Sequence, residues 1–162
     1  MANRNEIQDL QIENAKIMFR NFKGEPDKFN PNGKRTFAVF LDPEDARAIE
    51  EAGWNVKRLN PREDGDEPQA YLNVEVKFGE YFPPTINVIS GRKHSRMDAD
   101  TVGMLDWAEI DSVDLIIRPY AWEMNGRTGI KAYLKKMWVT LVVDKFEEKY
   151  ANFADVDGDD PF

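Results

Sequence analysis

The chain has no cysteine among its 162 residues. That excludes disulfides and thiolate metal sites, and it fits a reducing compartment. A single histidine, His94, leaves too few imidazoles for a histidine-based metal centre or a catalytic triad. No apolar run approaches the ~18 residues of a membrane-crossing helix. The polar opening MANRNEIQDL lacks the charged-then-apolar pattern of a secretory signal. No glycine-rich phosphate cradle and no nucleophile elbow can be found. The expectation is a cytoplasmic, non-enzymatic protein without a cofactor, a metal or a membrane partner.

Positive charge is also scarce: the net charge is −8. Taken alone, that argues against nucleic acid, because phosphate attraction needs a basic surface. The distribution reverses the argument. Residues 144–162 carry seven acids and two lysines, a net of −5, which leaves only −3 on the body. Two acidic islands, 42–51 and 63–67, account for part of that remainder. By contrast, residues 118–138 hold Arg118, Arg127, Lys131, Lys135 and Lys136 against the single acid Glu123. A basic face is therefore compatible with an acidic chain.

The length fits one domain, read here as a body over 1–150 followed by a flexible acidic segment over 151–162. No internal repeat is present. Ile12 to Phe22 reads as a first strand, and Phe29-Asn30-Pro31-Asn32-Gly33 as a turn. Lys34 to Leu41 alternates, with Phe37, Val39 and Leu41 on one side. Asp42 is placed to cap a short helix that has Pro43 at its first position and ends at Gly53. Ala46, Ile49 and Ala52 supply its apolar stripe. Strands follow over Trp54–Leu59, Tyr71–Phe78 and Thr85–Ser90, and a helical turn over Asp100–Trp107. Many short strands with one or two short helices predict a mainly β fold, a small barrel of the oligonucleotide-binding (OB-fold-like) class.

The clearest element is a long hairpin. Val113–Trp122 and Ile130–Val143 are strand-like, and Asn125-Gly126-Arg127-Thr128-Gly129 joins them. Side chains alternate along a strand, so the hairpin divides into two faces. Val113, Leu115 and Ile117 share one side with Ala132 and Leu134. Arg118, Tyr120 and Trp122 share the other with Lys131, Tyr133 and Lys135. A core face would not tolerate those cations, and a merely solvated one would not need those rings. Interleaved rings and cations suit single-stranded nucleic acid: bases stack on aromatic planes at ~1–3 kcal/mol each, and cations track the phosphates. The competing reading is that Tyr120, Trp122 and Tyr133 roof a secondary core while lysine stems lie across them.

Two further basic clusters extend the candidate path. Arg92, Lys93 and Arg96, in what reads as a loop after Gly91, could grip phosphates. Lys34 and Arg35, beside the Asn32-Gly33 turn, could add to them. Trp54, Phe37, Phe40 and Trp138 are assigned to the core or its rim.

The segment Asp155-Val156-Asp157-Gly158-Asp159-Asp160-Pro161-Phe162 is too polar to fold alone. An acidic solubility tail would not need a terminal aromatic ring. Phe162 supplies an apolar anchor beside Pro161, and Asp157, Asp159 and Asp160 supply attraction to a basic rim. That is the composition of a docking peptide for a partner protein. It could also occupy the chain's own basic groove until nucleic acid displaces it.

With these pieces together, the sequence resembles phage single-stranded DNA-binding proteins with an expanded oligonucleotide-binding barrel. The similarity lies in Phe29–Lys34 followed by Arg35-Thr-Phe-Ala-Val-Phe-Leu41, in the late block Asp114–Leu141, and above all in the tip Asp159-Asp160-Pro161-Phe162. The resemblance implies a barrel that coats exposed single strands in replication and recombination. It also implies a tip that recruits polymerases, nucleases or recombination factors. Unlike many bacterial tips, this one has no isoleucine before its proline, and its linker is short. Bacterial-style tetramers do not follow, and a homodimer is left open.

Two other classes compete. A metal-dependent nuclease could use Asp98, Asp100, Asp106, Glu109, Asp111 and Asp114, provided that they converge on cations 3.5–4 Å apart, roughly as two-metal chemistry requires. An acidic protein that mimics DNA would account for the net charge but not for the cationic, aromatic hairpin.

Overall fold

The computed structural model describes residues 7–60, 65 and 67–143. The docking-peptide residues Asp157, Asp159, Asp160, Pro161 and Phe162 lie outside the described residues, as does the boundary proposed at 150. In chain order the strands are β1 (Leu10–Ile12), β2 (Ile17–Asn21), β3 (Thr36–Leu41), β4 (Val56–Leu59) and β5 (Gln69–Glu75). They continue as β6 (Thr85–Ser90), β7 (Lys93–Met97), β8 (Ile110–Met124) and β9 (Arg127–Leu141). One α-helix, α1 (Pro43–Glu51), follows β3, and a 3-10 turn over Val102–Asp106 precedes β8.

All nine strands belong to one sheet with the path β1-β8-β9-β5-β3-β2. β4 adds to β5, and β6 joins β9 with β7 on its far side. The path ends on β1 and β2 rather than returning on itself, so the described sheet curls without closing. β9 is the hinge of this arrangement. Along one edge it pairs with β8 over nearly its whole length. Along the other it meets β5 at Tyr133 and then β6 from Lys136 to Thr140.

Alternation explains the core. Val113, Leu115 and Ile117 on β8 and Ile130, Ala132 and Leu134 on β9 are buried, as are Ala70, Leu72 and Val74 on β5. Phe22 stacks on Phe37 with centroids 5.1 Å apart. Each of the larger side chains among these, the Val, Leu, Ile and Phe residues, contributes about 1.5–3 kcal/mol before entropy is counted.

The hairpin turn is tighter than the sequence reading. Only Asn125 (φ 52°) and Gly126 (φ 77°) lie in it, both left-handed as a primed two-residue turn demands. Arg127, Thr128 and Gly129 belong to β9. The expected single strand Ile12–Phe22 is split into β1 and β2. The break falls at Asn14, whose φ is 52° and whose N–H donates to Asp114 Oδ1 at 2.9 Å. The stretch Arg92–Arg96 is not a loop: the Gly91-Arg92 turn leads into β7, which pairs with β6 from Ser90↔Lys93 to Ile86↔Met97.

Helix α1 starts at Pro43, but Asp42 makes no side-chain cap; its carbonyl accepts the Ala46 N–H at 2.8 Å. Its end is a paired αL cap. Gly53 N–H donates to Glu50 O at 3.0 Å and Trp54 N–H to Ile49 O at 3.2 Å. Gly53 has φ 107°, and a Cβ there would stand 3.1 Å from Ile130 Cδ1. The positive φ favours glycine there, an added Cβ would also press on Ile130, and the cap delivers Trp54 into the core beside Ile130.

Candidate nucleic-acid interface

Strand pairing assigns the outward face row by row, because residues paired across neighbouring strands share a side of the sheet. One row runs Arg118–Tyr133–Glu75–Thr36 across β8, β9, β5 and β3. Toward the hairpin tip come Tyr120–Lys131 and Trp122–Gly129. Tyr120 and Trp122 are 53% and 39% exposed, so these rings are not interior packing. Beyond Ile117, where pairing with β1 ends, β8 has a free edge among the described residues, which suits Pro119.

Tyr133 is the centre of the charge cluster. Arg118, Lys131 and Lys77 place their cationic groups 5.5, 5.1 and 6.0 Å from its ring centroid. Tyr120 meets it edge-on at 6.1 Å. Trp122 lies against the backbone of Gly129, where a Cβ would approach the indole to 2.6 Å. The bare glycine therefore lets the indole lie flat on the strand.

Lys131 is held by Glu75, with Nζ and Oε1 2.8 Å apart. Partial burial pulls its ammonium down, but the Glu75 carboxylate and Tyr133 together outweigh this and hold it above its ordinary value. Lys131 thus stays charged throughout the physiological range.

The predicted sites fall into three groups. Arg118, Tyr120, Trp122, Lys131 and Tyr133 share the outward face. Lys34 joins Trp122 and Lys131, with Lys57, Asn73 and Glu75, in a groove of ≈ 560 Å³ where β5 and β9 diverge. Lys135 departs from simple alternation. A bulge leaves it as an extra residue between the pairs Ile117↔Leu134 and Ile116↔Lys136, and its ammonium reaches Asp9 Oδ2 at 2.7 Å. Lys136 takes the regular outward position in its place.

A third group lies on the β6–β7 hairpin. A row Asp114–Trp138–Asn87–Arg96 crosses β8, β9, β6 and β7, so Arg96 shares the outward face while Lys93, three residues along and of opposite parity, does not. Arg92 occupies the turn. His94 is a hydrogen-bonding partner: its Nε2 lies 3.1 Å from Asn87 Oδ1, and Asn87 Nδ2 donates to Met137 O at 3.3 Å.

Four more residues border this face: Lys136 of the basic stretch, Trp138 at the rim of the core, and Tyr81 and Phe82, which were not among the predicted site residues. Lys136 sits 4.9 Å from the ring centroid of half-buried Trp138, an exposure that only the bulge explains. Tyr81 and Phe82, 81% and 72% exposed, project from the β5–β6 connection. Arg118 lies 4.8 Å from the Phe82 centroid. The available signal was two rings in a Gly79–Pro84 segment with no apolar alternation to bury them.

Three of the six carboxylates of the nuclease reading hold backbone or hydroxyl groups. Asp106 accepts the Phe22 and Lys23 N–H groups at 2.6 and 3.1 Å. Asp98 accepts the Thr101 hydroxyl and the N–H groups of Asp100 and Thr101, which hold it below its ordinary value. Asp114 accepts the Asn14 N–H. Among the described residues no three His, Cys, Asp or Glu side chains are grouped to hold a metal ion.

Comparison with solved structures gives neighbours of the same fold. The single-stranded DNA-binding protein from bacteriophage Enc34, as a C-terminal truncation, superposes with a TM-score of 0.51 at 12% identity, covering 84% of this chain and 87% of that one. The untruncated Enc34 protein gives 0.50 at 12% identity, over 91% and 89%. A third Enc34 structure, in complex with ssDNA, gives 0.49 at 13% identity, over 85% and 89%. The likeness is one of fold, OB-fold-like and mainly β. No curated protein matches the chain. A family model described as "Putative phage ssDNA-binding domain" matches residues 1–160. With nearly every residue matched, the chain belongs to the phage ssDNA-binding domain family.

Proposed function

We propose that this protein coats single-stranded DNA through the outward face of the β8–β9 hairpin, without reading base sequence. The observation that carries this is the meeting of Arg118, Lys131 and Lys77 around Tyr133, flanked by exposed Tyr120 and Trp122. Rings offer stacking to any base, and the cations offer phosphates a path. Family membership supports the ligand class. Lys34 and Lys57 extend the path through the groove beside β5. Arg96, with Arg92 and Lys93 beside it in sequence, continues the path toward β7.

In this reading the body over 1–150 holds the strand in the host cytoplasm during phage replication and recombination. The segment 151–162 recruits other proteins: Phe162 and Pro161 enter an apolar pocket, and Asp157, Asp159 and Asp160 meet its basic rim. The working unit is a monomer or a homodimer, and the reading requires no cofactor. Mobility shift of oligo-dT tests the binding: a shift that weakens as salt rises is expected, with much weaker binding to duplex. Failure to shift oligo-dT would favour the DNA-mimic class instead. Mg²⁺-dependent cleavage of labelled DNA would favour the nuclease. Deleting residues 155–162 is expected to abolish partner capture and leave folding intact.

A further inference from the structure

Phe82 stands in the left-handed region with φ 52°, although it is bulky and followed by a proline. Both features disfavour that backbone, which costs roughly 1–3 kcal/mol at a non-glycine residue. Its ring recovers little of this by burial, being 72% exposed. The mount is nevertheless firm: Pro83 and Pro84 fix their own φ, and Pro84 is buried. The segment also occupies a particular gap. β5 leaves the edge of β9 at Tyr133 and β6 joins it at Lys136, so the connection carrying Phe82 overhangs the outward face between them.

Across that gap the Arg118 guanidinium is within cation–π reach of two rings, 4.8 Å from the Phe82 centroid and 5.5 Å from that of Tyr133. A guanidinium is planar and about as thick as a nucleobase, and it stacks on aromatic faces. We propose that Phe82 and Tyr133 are the two walls of a slot for one nucleobase, and that the Arg118 guanidinium holds the slot in the free protein. On binding, the base enters between the rings and Arg118 turns out to the neighbouring phosphate. The slot uses the strain at Phe82 to keep an exposed ring standing over the sheet. This inference rests on the ssDNA reading and adds Phe82 as a binding residue.

The test compares Phe82→Ala, Phe82→Gly, Phe82→Tyr and Tyr133→Ala on the full chain, using oligo-dT bearing one 2-aminopurine. Phe82→Ala is expected to weaken binding about 5- to 160-fold, the range of one lost stack, while the salt slope stays unchanged. The 2-aminopurine quenching caused by stacking should fall with it, and Phe82→Tyr should restore both. Phe82→Gly is expected to unfold at a higher temperature and bind as weakly as Phe82→Ala, a split that a purely structural residue would not give. Unchanged affinity and quenching in Phe82→Ala, with Tyr133→Ala impaired, would overturn the slot and leave the interface standing. If Tyr133→Ala also binds normally, the slot is overturned as well, and the hairpin-face reading itself fails if Tyr120→Ala and Trp122→Ala are unchanged too.

Discussion

The two sides of the β8–β9 ladder share every backbone hydrogen bond and differ in everything else. On the inner side Leu115 and Ile117 face Met137 and Leu134, all within 1% exposure. On the outer side Arg118, Tyr120 and Trp122 face Tyr133, Lys131 and Gly129. The inner side withdraws apolar surface from water and accounts for stability. The outer side gathers cations around rings left in reach of solvent, which stability does not require. In the proposed reading, one hairpin assigns folding to one side of the sheet and recognition to the other.

Substitutions on either side should break or sharpen that division. The largest effect belongs to the inner side: Leu115→Ala should cost about 2–5 kcal/mol in chemical denaturation. Its folded fraction should bind oligo-dT as the parent does, and altered affinity would show that the sides are coupled. Next comes Tyr120→Ala, which should lose ~1–3 kcal/mol of ssDNA affinity with its unfolding temperature nearly kept.

Smaller effects come from the charges. Lys131→Ala should reduce the magnitude of the salt slope by about 0.7, the single-strand value for one phosphate contact. Glu75→Gln should act the other way on the same lysine. Freed from the 2.8 Å pair, Lys131 becomes available to phosphate, so binding at low salt should tighten and the slope steepen. Linkage makes the sign of the pair's stability term explicit. The ammonium of Lys131 is raised on folding, so the contribution is complete below the ordinary lysine value. It is lost as pH climbs through the raised one, and Glu75→Gln should remove that alkaline loss. The smallest change is expected for Lys135→Ala, whose exposed pair with Asp9 contributes about 0–1 kcal/mol to stability.

Much of this division could be read in advance, because parity is a local property. The inner residues Val113, Leu115 and Ile117, the β6 bounds Thr85–Ser90 and the Asn125-Gly126 turn all follow from alternation and turn chemistry. The departures come from partners far away in sequence. The break at Asn14 depends on Asp114, a hundred residues on. The bulge at Lys135 shifts Lys136 and Trp138 by one register step, and alternation counted from Lys131 cannot foresee it. β7 read as a loop because Lys93–Met97 carries no apolar period; it is a strand because β6 offers it an edge. Phe82 escaped notice since neither period nor charge marks it, only the placement of its loop over β9.

The most direct measurement is titration of oligo-dT against the parent and the combined Tyr120→Ala, Trp122→Ala, Tyr133→Ala variant at two salt concentrations, with thermal unfolding followed in parallel. If bare rings and positive charge on one side of the hairpin hold the strand, the variant stays folded and binds far more weakly at both concentrations, with its salt slope preserved. A folded variant with the parent's affinity would place the DNA elsewhere on the molecule.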